Sequence, residues 1–194
     1  DWKTNPEFGD YVIRLMNTEG KVVSTQWVRS GNRSPPLSLE GLPIQDSLER
    51  FLKYIEIGFT HILPKGLDHI LFVLGLFLLS THWKPLLIQV TSFTVAHTVT
   101  LSLSMYGVAS IPAIIVEPLI ALSIVYVGVE NIITRELKNW RPLLVFLFGL
   151  LHGLGFAGVL TEIGIPEANF LESLIAFNLG VELGQLAVIG CAYL

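Results

Sequence analysis

Residues 61–79 read HILPKGLDHILFVLGLFLL. After Asp68 and His69, the ten residues 70–79 carry no polar side chain at all. A run of that kind is a helix buried in a core or in lipid. Crossing a bilayer takes roughly 20 residues. The apolar part, placed near 67–82, is short for that and reaches spanning length by borrowing residues 61–66 across Pro64. Two ionisable residues at the mouth of such a segment are costly in lipid and point to a role.

Four more apolar segments follow, near 86–106, 112–132, 142–160 and 170–194. Over all 194 residues the chain is 52% hydrophobic and 14% charged, against about 25% charged in soluble domains, and its mean hydropathy is +0.62. The charges concentrate in residues 1–56 and thin out from 67 onward. The fold expected is therefore an all-α membrane protein, a polytopic helical bundle with five spans seen and a sixth expected, preceded by a short β-hairpin.

Ahead of the first span, 47–63 is amphipathic. Leu48, Phe51, Leu52, Ile55 and Phe59 recur at helical spacing, and Glu49, Arg50, Lys53 and Glu56 mark the other side. This predicts a helix lying on the membrane surface or entering it at a slant. Residues 10–29 alternate as a hairpin, with turn material at Asn17, Thr18, Glu19 and Gly20. Residues 30–46 are rich in Gly, Pro and Ser and read as a linker. The units expected are 1–46, hairpin and linker outside the cytoplasm; 47–66, the interfacial lead-in; and 67–194, the bundle. The polar start at 1–10 implies a leader removed or a longer protein upstream, and the apolar end at Leu194 implies truncation.

Loop charges give the orientation. Lys84 follows the first span, the loop at 107–112 has no cation, Arg135, Lys138 and Arg141 follow the third span, and Glu162 and Glu167 follow the fourth. Cationic loops alternating with uncharged or acidic ones put the first and third loops in the cytoplasm and the N-terminal segment outside. Trp83 and Trp140 then share one interface, while Lys53 and Lys65 on the outer side run against the rule. No basic patch interleaved with aromatics exists, which excludes nucleic acid as a partner. The single cysteine, Cys191, excludes a disulfide framework.

Each span hides ionisable or amide residues. His61, Asp68 and His69 gather at the first, and imidazole with carboxylate suits divalent transition metals. The plainer reading there is an interfacial His capped by an Asp. His97 sits mid-segment among Thr94, Thr98 and Thr100, and its plainer reading is a helix–helix hydrogen bond. His152 stands among Gly149, Gly153, Gly155 and Gly158, where close helix approach puts it against neighbours rather than lipid. Asn178, Glu182 and Gln185 fall on one helix face, and a mid-membrane Glu needs a partner, a cation or a proton. Glu117, before Pro118, reads as a helix-start residue. Glu130, beside Asn131, snorkels or pairs with Arg135, and His82 reads as interfacial. Four histidines, an aspartate and a glutamate across at least four spans are most economically explained by one shared cation or proton path.

The motifs HILPKGLDHILFVLGLFLL, SFTVAHTVTLSLS, VEPLIALSIVYVGVEN, FGLLHGLGFAGVL and FNLGVELGQ occur in this order. Together they resemble the HupE/UreJ family of bacterial membrane proteins, over roughly residues 50–194. The hairpin resembles the tail of an extracytoplasmic β domain found in one branch of that family. The resemblance implies a nickel or cobalt permease of the inner membrane. It places His61, Asp68 and His69 at the family's first-span pattern, and His97, His152 and Glu182 at polar positions in later spans. Pro64 and Lys65 between His61 and the Asp-His pair, and the extracytoplasmic lead-in, depart from the short family members.

Three functions follow. The first is a divalent metal transporter, with nickel or cobalt as substrate, metal ligands His61, Asp68, His69, His97, His152 and Glu182, and supporting polar groups Asn178, Gln185, Thr98, Glu130 and Asn131. The second is an intramembrane hydrolase holding zinc on the same His and Asp residues, assisted by Ser92, Ser102 or Ser123. The third is an accessory subunit of a larger membrane complex, docking through the hairpin. The expected partners are the lipid bilayer and a metal ion, with a homo-oligomer or a membrane complex as the possible assembly.

Overall fold

The computed structural model of the chain describes residues 11–16, 20, 22–28, 47–109, 111–134, 138–163 and 169–194. Among the described residues two strands, β1 (Tyr11–Met16) and β2 (Val22–Val28), precede six helices: α1 (Ser47–Ile62), α2 (Leu67–Leu79), α3 (Trp83–Met105), α4 (Ala113–Ile133), α5 (Arg141–Ile163) and α6 (Phe170–Ala192). β1 and β2 pair antiparallel from Tyr11 opposite Val28 to Met16 opposite Val22, with one irregularity between Leu15 and Met16. The turn residues 17–19, the linker at 30–46, and Arg135 and Glu167 lie outside the described residues.

The chain is a polytopic helical membrane protein. α3, α4 and α6 are each long and apolar enough to cross a bilayer. α1 and α2 pass that test only together and meet at a 73° bend, as in a broken span or a re-entrant loop. Residues 63–66, with Pro64 and Gly66, make the break, since proline cannot supply a helical N–H. The distribution of polarity is inverted relative to a soluble protein. Ile114, Leu122 and Ile132 of α4 and Leu171, Ile175 and Leu183 of α6 are exposed, whereas His97, His152, Asn178 and Gln185 are buried. Lipid accepts that outer surface, and burial keeps the polar groups from it.

Glycines set the helix contacts. Lipid gives apolar helices no hydrophobic reason to associate, so close backbone approach at small residues carries more of the packing. α3 and α5 run parallel and touch where Gly149 meets Phe93 and Ala96, and where Gly153 meets His97 and Thr100. A Cβ on Gly149 would come 2.9 Å from the Ala96 Cβ, and one on Gly153 would come 3.0 Å from the His97 Cα. α1 lies parallel to α6 on the same principle, with Gly58 against Phe177 and Val181, and Gly180 against Ile55 and Phe59. The Arg50–Glu172 ion pair, 2.9 Å, clasps one end of that pair. Ile55 and Phe59 of the apolar stripe therefore pack along α6, whereas Leu48 and Leu52 of that stripe are exposed. Gly75 brings α2 against Val127 of α4, and Asn131 Nδ2 donates to the Gly75 carbonyl at 2.8 Å.

α3 closes with Gly107 at φ +71, a conformation glycine adopts without strain. The Val108 N–H bonds the Leu103 carbonyl at 2.9 Å and the Gly107 N–H bonds that of Ser104 at 3.0 Å, the pattern that satisfies the last carbonyls of a helix. α4 begins at Ala113, so Glu117 lies beyond its first turn rather than at the helix start, and it is exposed.

Candidate metal centre

His61 occupies the last turn of α1, and Asp68 and His69 the first turn of α2. Folding the chain back at the break brings the His61 and His69 rings to 4.7 Å, centroid to centroid. Gly66 makes room for this, since a Cβ there would lie 3.2 Å from the Ile62 Cα and 3.3 Å from the His69 Nδ1. Gly153, next to His152, packs on the His97 backbone, so α5 and α3 meet at the level of these two residues. His69 is the centre of the cluster, 4.8 Å from His152 and 6.0 Å from His97 between ring centroids.

Among the described residues, two groups bring three potential ligand atoms within 4.8 Å of one another: His61, His69 and His97, and Asp68, His69 and His152. Both contain His69. Ligand atoms on one ion with bonds of about 2.1 Å lie at most about 4.2 Å apart. Three atoms on one tetrahedral ion lie about 3.4 Å apart, so closing either group draws together atoms now up to 4.8 Å apart by as much as about 1.4 Å.

Neighbouring hydrogen bonds orient the rings. Asn178 Nδ2 donates to the Leu174 carbonyl at 2.8 Å, which leaves its Oδ1 to accept from His97 Nδ1 at 3.1 Å. His97 Nε2 then carries the lone pair. Ser123 Oγ donates to the Ile120 carbonyl at 2.6 Å, so it accepts from His152 Nε2 at 3.3 Å, and the lone pair of that ring is on Nδ1. Asp68 Oδ1 lies 3.2 Å from His69 Nδ1 and holds the proton there, leaving Nε2. Those three nitrogens, His69 Nε2, His97 Nε2 and His152 Nδ1, are all buried without a hydrogen-bond partner among the described residues. A metal-binding imidazole has this form, one nitrogen fixed by an outer partner and the other open.

Other expected residues fall elsewhere. Asn178 and Gln185 meet α3 through His97 and Thr94, with Thr94 Oγ1 donating to Gln185 Oε1 at 3.1 Å. Glu182 also turns to α3, where Thr91 Oγ1 donates to its Oε1 at 2.6 Å, and it belongs to neither ligand group. Thr98 bonds the Thr94 carbonyl of its own helix at 2.7 Å. Glu130 lies 3.6 Å from Arg141, and Asn131 ties α4 to α2. His82 is exposed at the start of α3.

Three aromatic rings that sequence reasoning passed over wall the cluster. Phe93 stands 4.9 Å from His152 and 5.6 Å from His69, Phe72 stands 5.4 Å from His152, and Phe177 stands 5.8 Å from His61, all between centroids. Helical spacing held the signal for them. Phe93 lies four residues before His97 and Phe72 three after His69, positions that share a helix face. Ser123 was visible as a possible catalytic assistant, yet it serves as the hydrogen-bond partner of His152.

A family model described as HupE / UreJ protein matches residues 40–194, which include every residue of the cluster. Comparison with curated proteins and with solved structures returned no match. With four fifths of its length matched and a His and Asp cluster buried in a helical membrane bundle, the chain belongs to the HupE / UreJ family.

Proposed function

We propose that this protein carries nickel or cobalt as substrate across the bacterial inner membrane, through the cluster centred on His69. The supporting observation is the set of three buried imidazole nitrogens on His69, His97 and His152 that have no hydrogen-bond partner among the described residues. A buried polar atom left unsatisfied costs about 1–3 kcal/mol. A divalent ion that takes imidazole and carboxylate offsets that cost at His69 and His97 in one ligand group, and at His69 and His152 in the other.

Asp68 is the entry ligand, because its carboxylate is 40% exposed where the buried His69 is 2% exposed. His69, common to both ligand groups, passes the ion from one set to the other. Asn178 and Ser123 hold the His97 and His152 rings in their binding tautomers. Glu182 acts in the path beyond these groups rather than in them. The N-terminal hairpin stands outside the cytoplasm, in line with the cationic loops at Lys84 and Lys138.

The test is uptake into proteoliposomes that enclose a metal-sensitive dye. Nickel or cobalt should enter with the wild-type chain, and the rate should fall roughly tenfold or more in His69→Ala and His97→Ala. Absence of flux from the folded wild-type chain under an imposed metal gradient, with or without a proton gradient, would overturn the proposal. A zinc ion that cannot be exchanged would instead favour the hydrolase.

A further inference from the structure

Arg141 is the largest fully buried side chain of the described residues, 1% exposed. Its Nε, Nη1 and Nη2 make no hydrogen bond among those residues. Its ion-pair partner, Glu130 Oε2, lies 3.6 Å from Nη1, beyond hydrogen-bond reach. A guanidinium so placed is short of acceptors, and one distant carboxylate does not supply them.

A cavity of about 200 Å³ opens beside it between α3 and α5, lined by Arg141, Lys138, Asn139, Gln89, Ile88 and two prolines. Eleven residues of helix separate Arg141 from His152, about 16 Å, so this cavity is distinct from the metal cluster. Two cations face it, and the N-terminus of α5 adds partial positive charge. The first amides of α5 are already used, with Arg141 N bonded to the Lys138 carbonyl at 3.1 Å and Leu143 N to that of Trp140 at 3.0 Å. Side chains must therefore do the binding. Gln89 Oε1 is also buried without a partner, an acceptor suited to a hydroxyl group.

The geometry points to a binding site for a phosphate-bearing anion, with Arg141 and Lys138 on the phosphate and Gln89 on a neighbouring hydroxyl. Guanidinium matches the paired oxygens of a phosphate. The depth suits a lipid headgroup. Trp140 is 44% exposed and Trp83 64% exposed, with Lys138 Nζ 5.9 Å and Lys84 Nζ 5.8 Å from their respective ring centroids. Such Trp and Lys pairs mark the interfacial layer, and basic pockets between helices at that level take anionic headgroups.

The experiment is thermal unfolding of the full chain in a non-ionic detergent, with added phosphatidylglycerol, phosphatidylcholine, or glycerol 3-phosphate. Phosphatidylglycerol should raise the midpoint by several degrees and phosphatidylcholine should not. The rise should be lost in Lys138→Gln and in Arg141→Gln, and kept in Lys84→Gln. The Lys138 substitution sits on an exposed residue, so it reads the site even where the Arg141 variant does not fold. An equal rise with glycerol 3-phosphate, also lost in Lys138→Gln, would support the phosphate site and assign it to a soluble ligand. No rise from either phosphatidylglycerol or glycerol 3-phosphate, or a rise that survives Lys138→Gln, would overturn the inference.

Discussion

His97 Nδ1 lies 3.1 Å from Asn178 Oδ1, and the amide nitrogen of the same Asn178 is held by the Leu174 carbonyl at 2.8 Å. The second bond decides the direction of the first, so the His97 ring presents Nε2 to its neighbours. Replacing the amide with an apolar side chain of similar size, Asn178→Leu, removes that acceptor. Metal affinity, measured by competition with a chromophoric chelator, should fall about 10–100-fold while the helices stay folded. Unchanged affinity would mean that His97 needs no orienting partner.

The carboxylates should rank by their distance from the histidines. Asp68 belongs to a ligand group with His69 and His152, whereas Glu182 bonds Thr91 outside both groups and Glu117 is exposed. Metal uptake should drop most in Asp68→Asn, less in Glu182→Gln and least in Glu117→Gln. Equal losses for the last two would remove Glu182 from the ion path.

Helix contact at Gly153 leaves no space for a methyl group, because a Cβ there would lie 3.0 Å from the His97 Cα. Gly128 has nothing within 4 Å of the same added atom. Gly153→Ala should therefore cost about 1–3 kcal/mol, read as a lower unfolding midpoint in detergent, and should weaken metal binding by displacing His97. Gly128→Ala should change stability by less than about 1 kcal/mol.

Glu130 and Arg141 are both buried, 3.6 Å apart. Removing one partner alone leaves a buried charge without its counter-ion. Glu130→Gln should thus destabilise the chain by about 3 kcal/mol, and the double change Glu130→Gln with Arg141→Gln should recover part of that loss. Strict additivity in a double-mutant cycle would show that the two do not interact.

Much of this was legible in the chain because lipid imposes strict rules on sequence. The apolar segments at 86–106, 112–132, 142–160 and 170–194 correspond to α3, α4, α5 and α6. The hairpin was legible because alternation and turn chemistry agree, with Tyr11 now opposite Val28. The short segment after Asp68 was legible as short, but its 73° bend from α1 was not. Pro64 and Gly66 announce a break without giving its angle. The residues most clearly written were the histidines, since each stands out in an apolar run. Glu182 stood out for the same reason, yet Thr91 engages its carboxylate, and hydroxyl partners on another helix leave no periodic trace. Arg141 looked like one more loop cation in the positive loop, while the structure buries it at the start of α5.

The measurement that tests the central claim most directly is metal stoichiometry of the purified full chain by inductively coupled plasma mass spectrometry. Wild type and His69→Ala would be compared after incubation with nickel or cobalt, then again after a chelator. His69 belongs to both ligand groups, so the account predicts uptake by the wild type, release to the chelator, and loss of uptake in the variant. No metal on the wild-type chain under any condition, or equal metal on both proteins, would contradict it.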